Sequence, residues 1–501
     1  MNRTRKILAS GSWWMAVGCY AVLIITSGCE QSQSTTETPA KLNSKRPNVV
    51  FILADDLGIS DLSIYGNTFN EAPNISNLAT HGVRFTNAYA APVCSPSRAS
   101  IQTGQVPARV GITDWIPGHW RPYEEVLAGI NRTQQLPEDV STIGEMLSAS
   151  GYQTGYFGKW HLGEKTPNER GYHEAVSSRG GPYYQGIAES AQAHENERVS
   201  DALTRMGIEF MEKHRDNPFF LFISHFDVHV QLDADRQLIE KYQRKPKVDG
   251  YPSNAVYAAM IEHMDNSVGD VMDYLEAAGL ADNTIVIFYS DNGGLEDRFD
   301  GVPLLAGNGI EAYAEGHPLT YIASSNAPYR GGKGSLFEGG VRVPMIVKWP
   351  GVAQSGAMYE GLVSSEDFFP TIAELTGADL PEDQVIDGYS LVPALKSGKV
   401  DAERELFIHY PVYHHDIPKS ALKKGDWKLV QNLVSDEYEL YNLKFDQAEE
   451  IDLVATYPEK VEKMKKALKK WQIKTNANAV SENSDFDPKR RYSWGQHPDS
   501  Q

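Results

Sequence analysis

Five consecutive apolar residues, Val49-Val50-Phe51-Ile52-Leu53, with Asp55-Asp56 directly behind them, constrain this fold more than any other feature. A strand with one wet face alternates apolar and polar side chains. A strand covered on both faces need not, and a continuous apolar run is its mark. The pattern returns at Phe219-Phe220-Leu221-Phe222-Ile223 and from Thr284 to Tyr289. Helical spacing separates the runs: Pro73 to His81, Ser141 to Ser150, Glu195 to His214, and Asn254 to Ala278, with Gly279 as the expected cap. Short strands are expected from Gln153 to Phe157 and from Val341 to Val347, and a helix from Asp367 to Thr376. Strand and helix in turn predict an α/β fold with a mostly parallel central sheet flanked by helices.

The texture changes after about residue 400. Short segments at Glu405–His409, Trp427–Val430 and Glu437–Leu443 precede a charged amphipathic helix from Pro458 to Gln472. They predict a smaller C-terminal α+β domain, residues 401–501, with an antiparallel sheet, behind a main domain of residues 47–400. Residues 294–335, rich in Gly, Ala and Asn, read as a long loop beside a functional site.

The N-terminus carries Arg3, Arg5 and Lys6, an apolar stretch from Trp13 to Ile25, and then Thr26-Ser27-Gly28-Cys29. The stretch falls short of the ~20 residues that span a membrane and fits an export signal. Small residues running into Cys29 resemble a bacterial lipobox, with Thr26 where Leu is usual. The reading is a lipoprotein-type signal peptide over 1–28, lipidation of Cys29 and a polar, disordered tether over 29–46. It implies an exported protein, periplasmic or associated with the outer membrane, that touches membrane through its lipid only. A plain cleaved signal or an uncleaved anchor are the alternatives. The chain has three cysteines, Cys19, Cys29 and Cys94; loss of the first and acylation of the second leave no pair for a disulfide. The fold must then stand on its core and a bound metal.

A net charge of −19, without a long block of like charge, argues against nucleic acid as a partner. Affinity for any anionic ligand must come from a local cluster of cations. Ligands of a parallel sheet bind at the carboxyl ends of its strands, where both Asp55-Asp56 and Asp291-Asn292 are expected. Together they form an oxygen-rich cage suited to Ca2+ or Mg2+. Taken singly, such a pair reads equally well as a helix cap or a solvated turn. Lys159 and His161 fall at alternate positions of a strand end and would point to one side. Glycines flanking Lys333 let its backbone approach closely, in a spacing that is not a P-loop. Two histidines, His225 and His229, follow the strand that ends near Ile223.

Between these elements lies Cys94-Ser95-Pro96-Ser97-Arg98, followed by Thr103-Gly104. This pattern resembles the modification signature of type I sulfatases, in the alkaline-phosphatase-like superfamily. Gly151 to His161 resembles the second signature of that family, and Arg330 to Pro344 is a further match. The resemblance runs from Pro47 to about Leu453. It implies that a maturation enzyme oxidises Cys94 to formylglycine. It also implies that Asp55, Asp56, Asp291 and Asn292 bind a cation, Ca2+ or Mg2+, together with residue 94. Asp291 would act as the base and Arg98 would hold the hydrated aldehyde. Lys159, Lys333 and His229 would neutralise charge, Lys333 or His229 would protonate the leaving oxygen, and His161 would take the last proton. The family usually has Pro-His-x-Pro where this chain has Val228, His229 and Gln231, so His225 competes with His229 for the sulfate.

The implied substrate is a sulfate ester, such as one on a sulfated carbohydrate taken up from outside. His119, Trp120, His409, Tyr410, Tyr413, His414 and His415 would border the pocket, or else sit as ordinary surface-loop residues. Two other functions stay open at this level. One is a phosphate or phosphonate monoester hydrolase of the same superfamily. The other is a non-catalytic lipoprotein that binds sulfated glycans, with Cys94 unmodified.

Overall fold

Among the described residues of the computed structural model, the central sheet has eight strands. They are β1 (Asn48–Ala54), β2 (Val83–Phe85), β3 (Gln153–Lys159), β4 (Glu174–Ser178), β5 (Phe219–Ser224), β6 (Thr284–Ser290), β7 (Met345–Lys348) and β8 (Ala357–Tyr359). Their spatial order is β8-β2-β7-β6-β1-β5-β3-β4. The structure describes residues 46–129, 131–178, 197–296, 304–307, 309–310 and 322–495. The expected leader, Cys29 and all of the expected tether except Arg46 lie outside these residues.

β1 pairs in parallel with β5 on one side and β6 on the other, as the apolar runs predict. β3 extends the parallel set beside β5, and β4 beside β3. Only β7 opposes its neighbours, pairing antiparallel with both β6 and β2. The strand expected over Val341 to Val347 is therefore shorter and reversed. Glu338–Val341 closes a helical turn instead, with Arg342 N donating to Glu338 O. Pro344 has no N–H for a ladder, and pairing starts at Met345.

β1 shows why its sequence does not alternate. Val50, Ile52 and Ala54 join a core formed with helices α1 (Pro73–Thr80), α4 (Val199–Lys213) and α5 (Ala255–Ala277). Val49, Phe51 and Leu53 face the opposite core, shared with α2 (Cys94–Thr103), α3 (Ile143–Ala149) and α6 (Phe368–Thr376). Phe51 stacks on Phe222 at 4.7 Å and meets the edge of Phe368 at 4.9 Å. Full burial of each such side chain stabilises the fold by about 1.5–3 kcal/mol. The Asn254 side chain caps α5 by accepting from Val256 N and Tyr257 N. Gly279 follows the helix at a φ of +68°, as its spacing predicts.

The C-terminal strands β9 (Glu405–Tyr410), β10 (Lys419–Lys424), β11 (Trp427–Asn432) and β12 (Tyr438–Asn442) form an antiparallel sheet. Helix α7 (Pro458–Lys474) covers one face, packing Val461, Met464 and Leu468 on Leu422, Leu429 and Leu440. The other face, with Ile408, Tyr410, Ala421 and Val430, packs on Val93, Leu336, Phe337 and Val341. The sheet thus braces the segments next to Cys94 and Lys333. Among the described residues no helix is long and apolar enough to cross a membrane.

Candidate active site

The carboxyl edge of the sheet gathers the acidic residues. Asp55 and Asp56 follow β1, and Asp291 and Asn292 follow β6, its parallel neighbour. Asp56 turns the chain at a φ of +64°, a left-handed conformation uncommon outside glycine. That turn lets Asp56 N donate to Asp291 Oδ1 at 3.2 Å while its own Oδ1 accepts from Asn292 Nδ2 at 2.8 Å.

Cys94 is the first residue of α2, with Val93 extended before it. Its side chain therefore sits at the positive end of a helix, where anions are favoured. Ser97 Oγ anchors the entry to the helix by accepting from Ala91 N at 2.8 Å. One turn on, Arg98 is buried with its guanidinium in the site. Nε and Nη2 reach Asp291 Oδ2 at 2.8 and 2.7 Å, and Nη1 donates to Lys159 O and Ser224 Oγ, both at 2.7 Å.

Lys159, the last residue of β3, pairs with Asp55 Oδ2 at 2.5 Å. Gly158 before it lies against β5, where a Cβ would fall 1.8 Å from Ser224 O. His161 does reach the site with Lys159, but not through strand alternation. The strand has ended, and a φ of +56° at His161 turns its ring toward Cys94, with Nδ1 3.3 Å from Sγ. Ser95 Oγ donates to His161 O at 2.8 Å and holds this turn. The expected loop returns to the same edge at its described end, where Lys333 N donates to Gly294 O at 3.0 Å. Lys333 Nζ pairs with Asp56 Oδ2 at 2.8 Å, and His229 Nε2 lies 3.6 Å from the same oxygen.

Burial pushes the Asp55 carboxyl up, but the fields of Lys159, Arg98 and Lys333 outweigh it and hold the group well below the usual carboxylate range. Asp56 is lowered in the same contest, chiefly by Lys333. Asp291 goes the other way: burial and the nearby Asp55 charge raise it well above the usual range despite Arg98. Burial, aided by Lys159, depresses His161 to about 3. Burial and Lys333 depress His229 to about 4. Both imidazoles are neutral at pH 7, whereas Asp56 keeps Lys333 charged against its burial.

These oxygens fit a hard cation. Ligand atoms of Asp55, Cys94 and Asp291 lie within 4.8 Å of one another, as do those of Asp55, Asp56 and His229. Asp55 Oδ1 and Asn292 Oδ1 are buried acceptors without a hydrogen-bond donor. Such orphaned oxygens among crowded carboxyls are what a divalent ion satisfies.

The structure separates the two competing histidines. His229 meets Asp56, whereas the His225 ring is fully buried behind the sheet edge with Nε2 3.0 Å from Ser267 Oγ of α5. His409 also lies away from the acidic edge: Nδ1 meets Ser420 Oγ at 2.5 Å and Nε2 meets Asn478 O at 2.9 Å, so both ring nitrogens serve the C-terminal fold. His414 does border the site. Gly334, next to Lys333, has a φ of +82°, and a Cβ there would come within 2.2 Å of His414 Nδ1. His415 contacts His414 at 4.1 Å, and Tyr413 is buried.

Sequence reasoning missed the groups that hold the site. Ser224 orients Arg98, and Asp114 accepts from Trp115 N at 2.8 Å, His119 N at 2.5 Å and Tyr410 OH at 3.2 Å. A single buried serine or aspartate carries no pattern, so no sequence signal marked them.

A parallel sheet with carboxyls, cations and one nucleophilic position at its carboxyl edge defines an alkaline-phosphatase-like hydrolase of anionic esters. Residues 47–378 match the family described as Sulfatase, and residues 332–477 match that described as N-sulphoglucosamine sulphohydrolase, C-terminal. A sulfatase of Formosa agariphila is 31% identical over 89% of this chain and 92% of its own. Human N-acetylgalactosamine-6-sulfatase is 31% identical over 72% of this chain and 68% of its own. The crystal structure of Ps i-CgsB in complex with k-i-k-neocarrahexaose superposes with a TM-score of 0.70 at 26% identity, covering 91% of this chain and 96% of the other. The chain belongs to the sulfatase family, enzymes that hydrolyse sulfate esters.

Proposed function

We propose that this sulfatase removes sulfate from a sulfated carbohydrate, with residue 94 acting as formylglycine and Asp55, Asp56, Asp291 and Asn292 holding Ca2+ or Mg2+. The observation that carries the reading is the proton arrangement around Cys94. His161 Nε2 lies 2.8 Å from Ile116 O, and a carbonyl only accepts, so the ring hydrogen sits on Nε2. Nδ1, 3.3 Å from Cys94 Sγ, is then a free base aimed at residue 94.

The bound cation would polarise the sulfate and lower the pKa of a hydroxyl on residue 94. Hydrated formylglycine would supply two hydroxyls on one carbon, one to attack sulfur and one to release the sulfate. Within the chain, Arg98 fixes the Asp291 carboxyl beside residue 94, where it can take the proton of the attacking hydroxyl. Lys333 remains charged on Asp56 and faces the sulfate side with His229, where it neutralises developing charge and donates to the leaving oxygen. His161 Nδ1 takes the proton of the second hydroxyl. Carbohydrate as the substrate class is supported by the oligosaccharide in the Ps i-CgsB complex and by the name of the human relative. Export and tethering through Cys29, with maturation of Cys94 by a separate enzyme, complete the proposal on the sequence alone.

Turnover of para-nitrophenyl sulfate and para-nitrophenyl phosphate, followed by desulfation of ι-carrageenan and chondroitin 6-sulfate oligosaccharides, tests the reading. Faster sulfate than phosphate hydrolysis and release of sulfate from at least one oligosaccharide are expected. A preference for the phosphate ester would overturn it.

A further inference from the structure

Residues 481–495, the last that the structure describes, are strapped along residues 120–127. Ser481–Glu482 pairs antiparallel with Val126–Leu127. Asn483 Nδ2 donates to Pro122 O at 2.9 Å and Glu124 O at 2.7 Å, Asp487 N donates to Tyr123 O at 3.2 Å, and Gly495 N donates to Trp120 O at 3.0 Å. The Arg490 guanidinium lies 3.4 Å from the Tyr123 ring centre, and Arg491 pairs with Glu124 and Glu125, both at 3.4 Å. The strap begins beyond residue 477, where the C-terminal family match stops.

It delivers Trp494 to a wall that starts beside His161. The Trp115 ring lies 6.0 Å from that of His161, and its Nε1 lies 3.0 Å from Nδ1 and 3.1 Å from Nε2 of His119. Asp114 accepts from His119 Nδ1 at 3.0 Å and holds the ring in place. His119 then stacks on His414 at 3.7 Å, and His414 sits against Gly334 beside Lys333. Outward, Trp494 lies 5.4 Å from His119, and the Arg121 guanidinium covers it at 4.3 Å while donating to His414 O at 3.0 Å. Exposure rises along this wall, from 7% at His414 to 37% at Trp494, so the indole forms the rim.

We infer that the strap is part of the substrate site and that Trp494 is a specificity residue for the carbohydrate. This rests on the carbohydrate reading above. A pyranose ring has an apolar C–H face and a polar hydroxyl edge. An indole rim beside Arg121 and two imidazoles offers both surfaces, unlike the broad apolar lining a steroid or lipid ester would require. With sulfate held at Lys333, the sugar bearing it or the next one outward lies on Trp494.

The test is kinetic, on ι-carrageenan and chondroitin 6-sulfate oligosaccharides, with para-nitrophenyl sulfate confirming that the wild-type preparation is active. Trp494→Ala should raise KM about tenfold on an oligosaccharide that the wild type desulfates, with kcat changed by less than about twofold. Trp494→Phe, which keeps an aromatic face, should recover most of that affinity. Accelerated trypsin cleavage at Lys489 to Arg491 would reveal a strap detached by substitution, and the Phe variant should stay protected. A wild-type KM in Trp494→Ala, or a Phe variant as weak as Ala, overturns the role of the strap alone. A wild type active on the nitrophenyl ester but on no carbohydrate overturns the carbohydrate reading and the Trp494 assignment with it.

Discussion

The acidic edge and the aromatic wall meet at Cys94 but are built in opposite ways. At the edge, charges stand at the ends of buried strands and are fixed by one another: Arg98 on Asp291, Lys159 on Asp55, Lys333 on Asp56. In the wall, the His119 and His414 rings stack, Trp115 meets His119 edge-on and Trp494 lies tilted against it, with Asp114 holding His119. The edge can stabilise charge that develops during reaction, whereas the wall can only bind what is already there. Substitutions at the edge should therefore act on kcat, and substitutions in the wall on KM.

The largest effect is expected at Lys333. Lys333→Ala should lower kcat by on the order of 10³ with an unchanged melting temperature, because it removes a charged donor from a preorganised site. Near-normal turnover in a normally melting variant would break the comparison at its strongest point.

Acid should weaken the fold that supports the wall. Burial depresses His409 to about 4, so between pH 6.5 and 4 the unfolded chain takes up a proton that the folded chain refuses. Its contribution is present above about pH 6.5 and falls by about 3 kcal/mol as the pH drops to 4. Melting curves across that range should steepen in the wild type and flatten in His409→Gln. Identical pH dependence in the two proteins would remove His409 from this account.

Next comes the choice between histidines. His229→Ala should cost about 10²-fold in kcat, while His225→Gln should retain turnover and lose stability, since its partner is Ser267 and not Asp56. The reverse pattern would place the sulfate elsewhere. Smallest is the wall itself: His414→Ala should raise KM for an oligosaccharide roughly threefold to tenfold at nearly constant kcat. An equal fall in kcat and kcat/KM would show that the wall also acts in the transition state.

The same contrast explains what could be read before the structure. β1, β5 and β6 were legible because double-sided burial writes a continuous apolar run, and the acids behind them were legible because strand ends are fixed by those runs. β10 was not expected, since Lys419, Lys423 and Lys424 hide its pattern; Lys419 is tolerated inside through Asp416 at 2.6 Å. The strand expected from Val341 starts only at Met345 because Glu338–Val341 closes a helical turn first. Cys94, Lys159 and Lys333 stood in short contiguous motifs, but His225 and His229 could be told apart only by the turn after β5, where His229 N bonds Phe226 O at 2.8 Å. The resemblance names His119 and His414 as bordering the pocket, but their assembly with Arg121 and Trp494 is illegible because the partners are remote: Arg121 and His414, joined at 3.0 Å, are 293 positions apart. No local period or spacing records such a meeting.

Residue 94 joins the two regions, and its chemical form tests the account most directly. Mass spectrometry of the peptide spanning Val93 to Arg98, taken from enzyme that is active on para-nitrophenyl sulfate, should find the mass of an aldehyde at position 94. An unmodified thiol there in fully active protein would contradict the account.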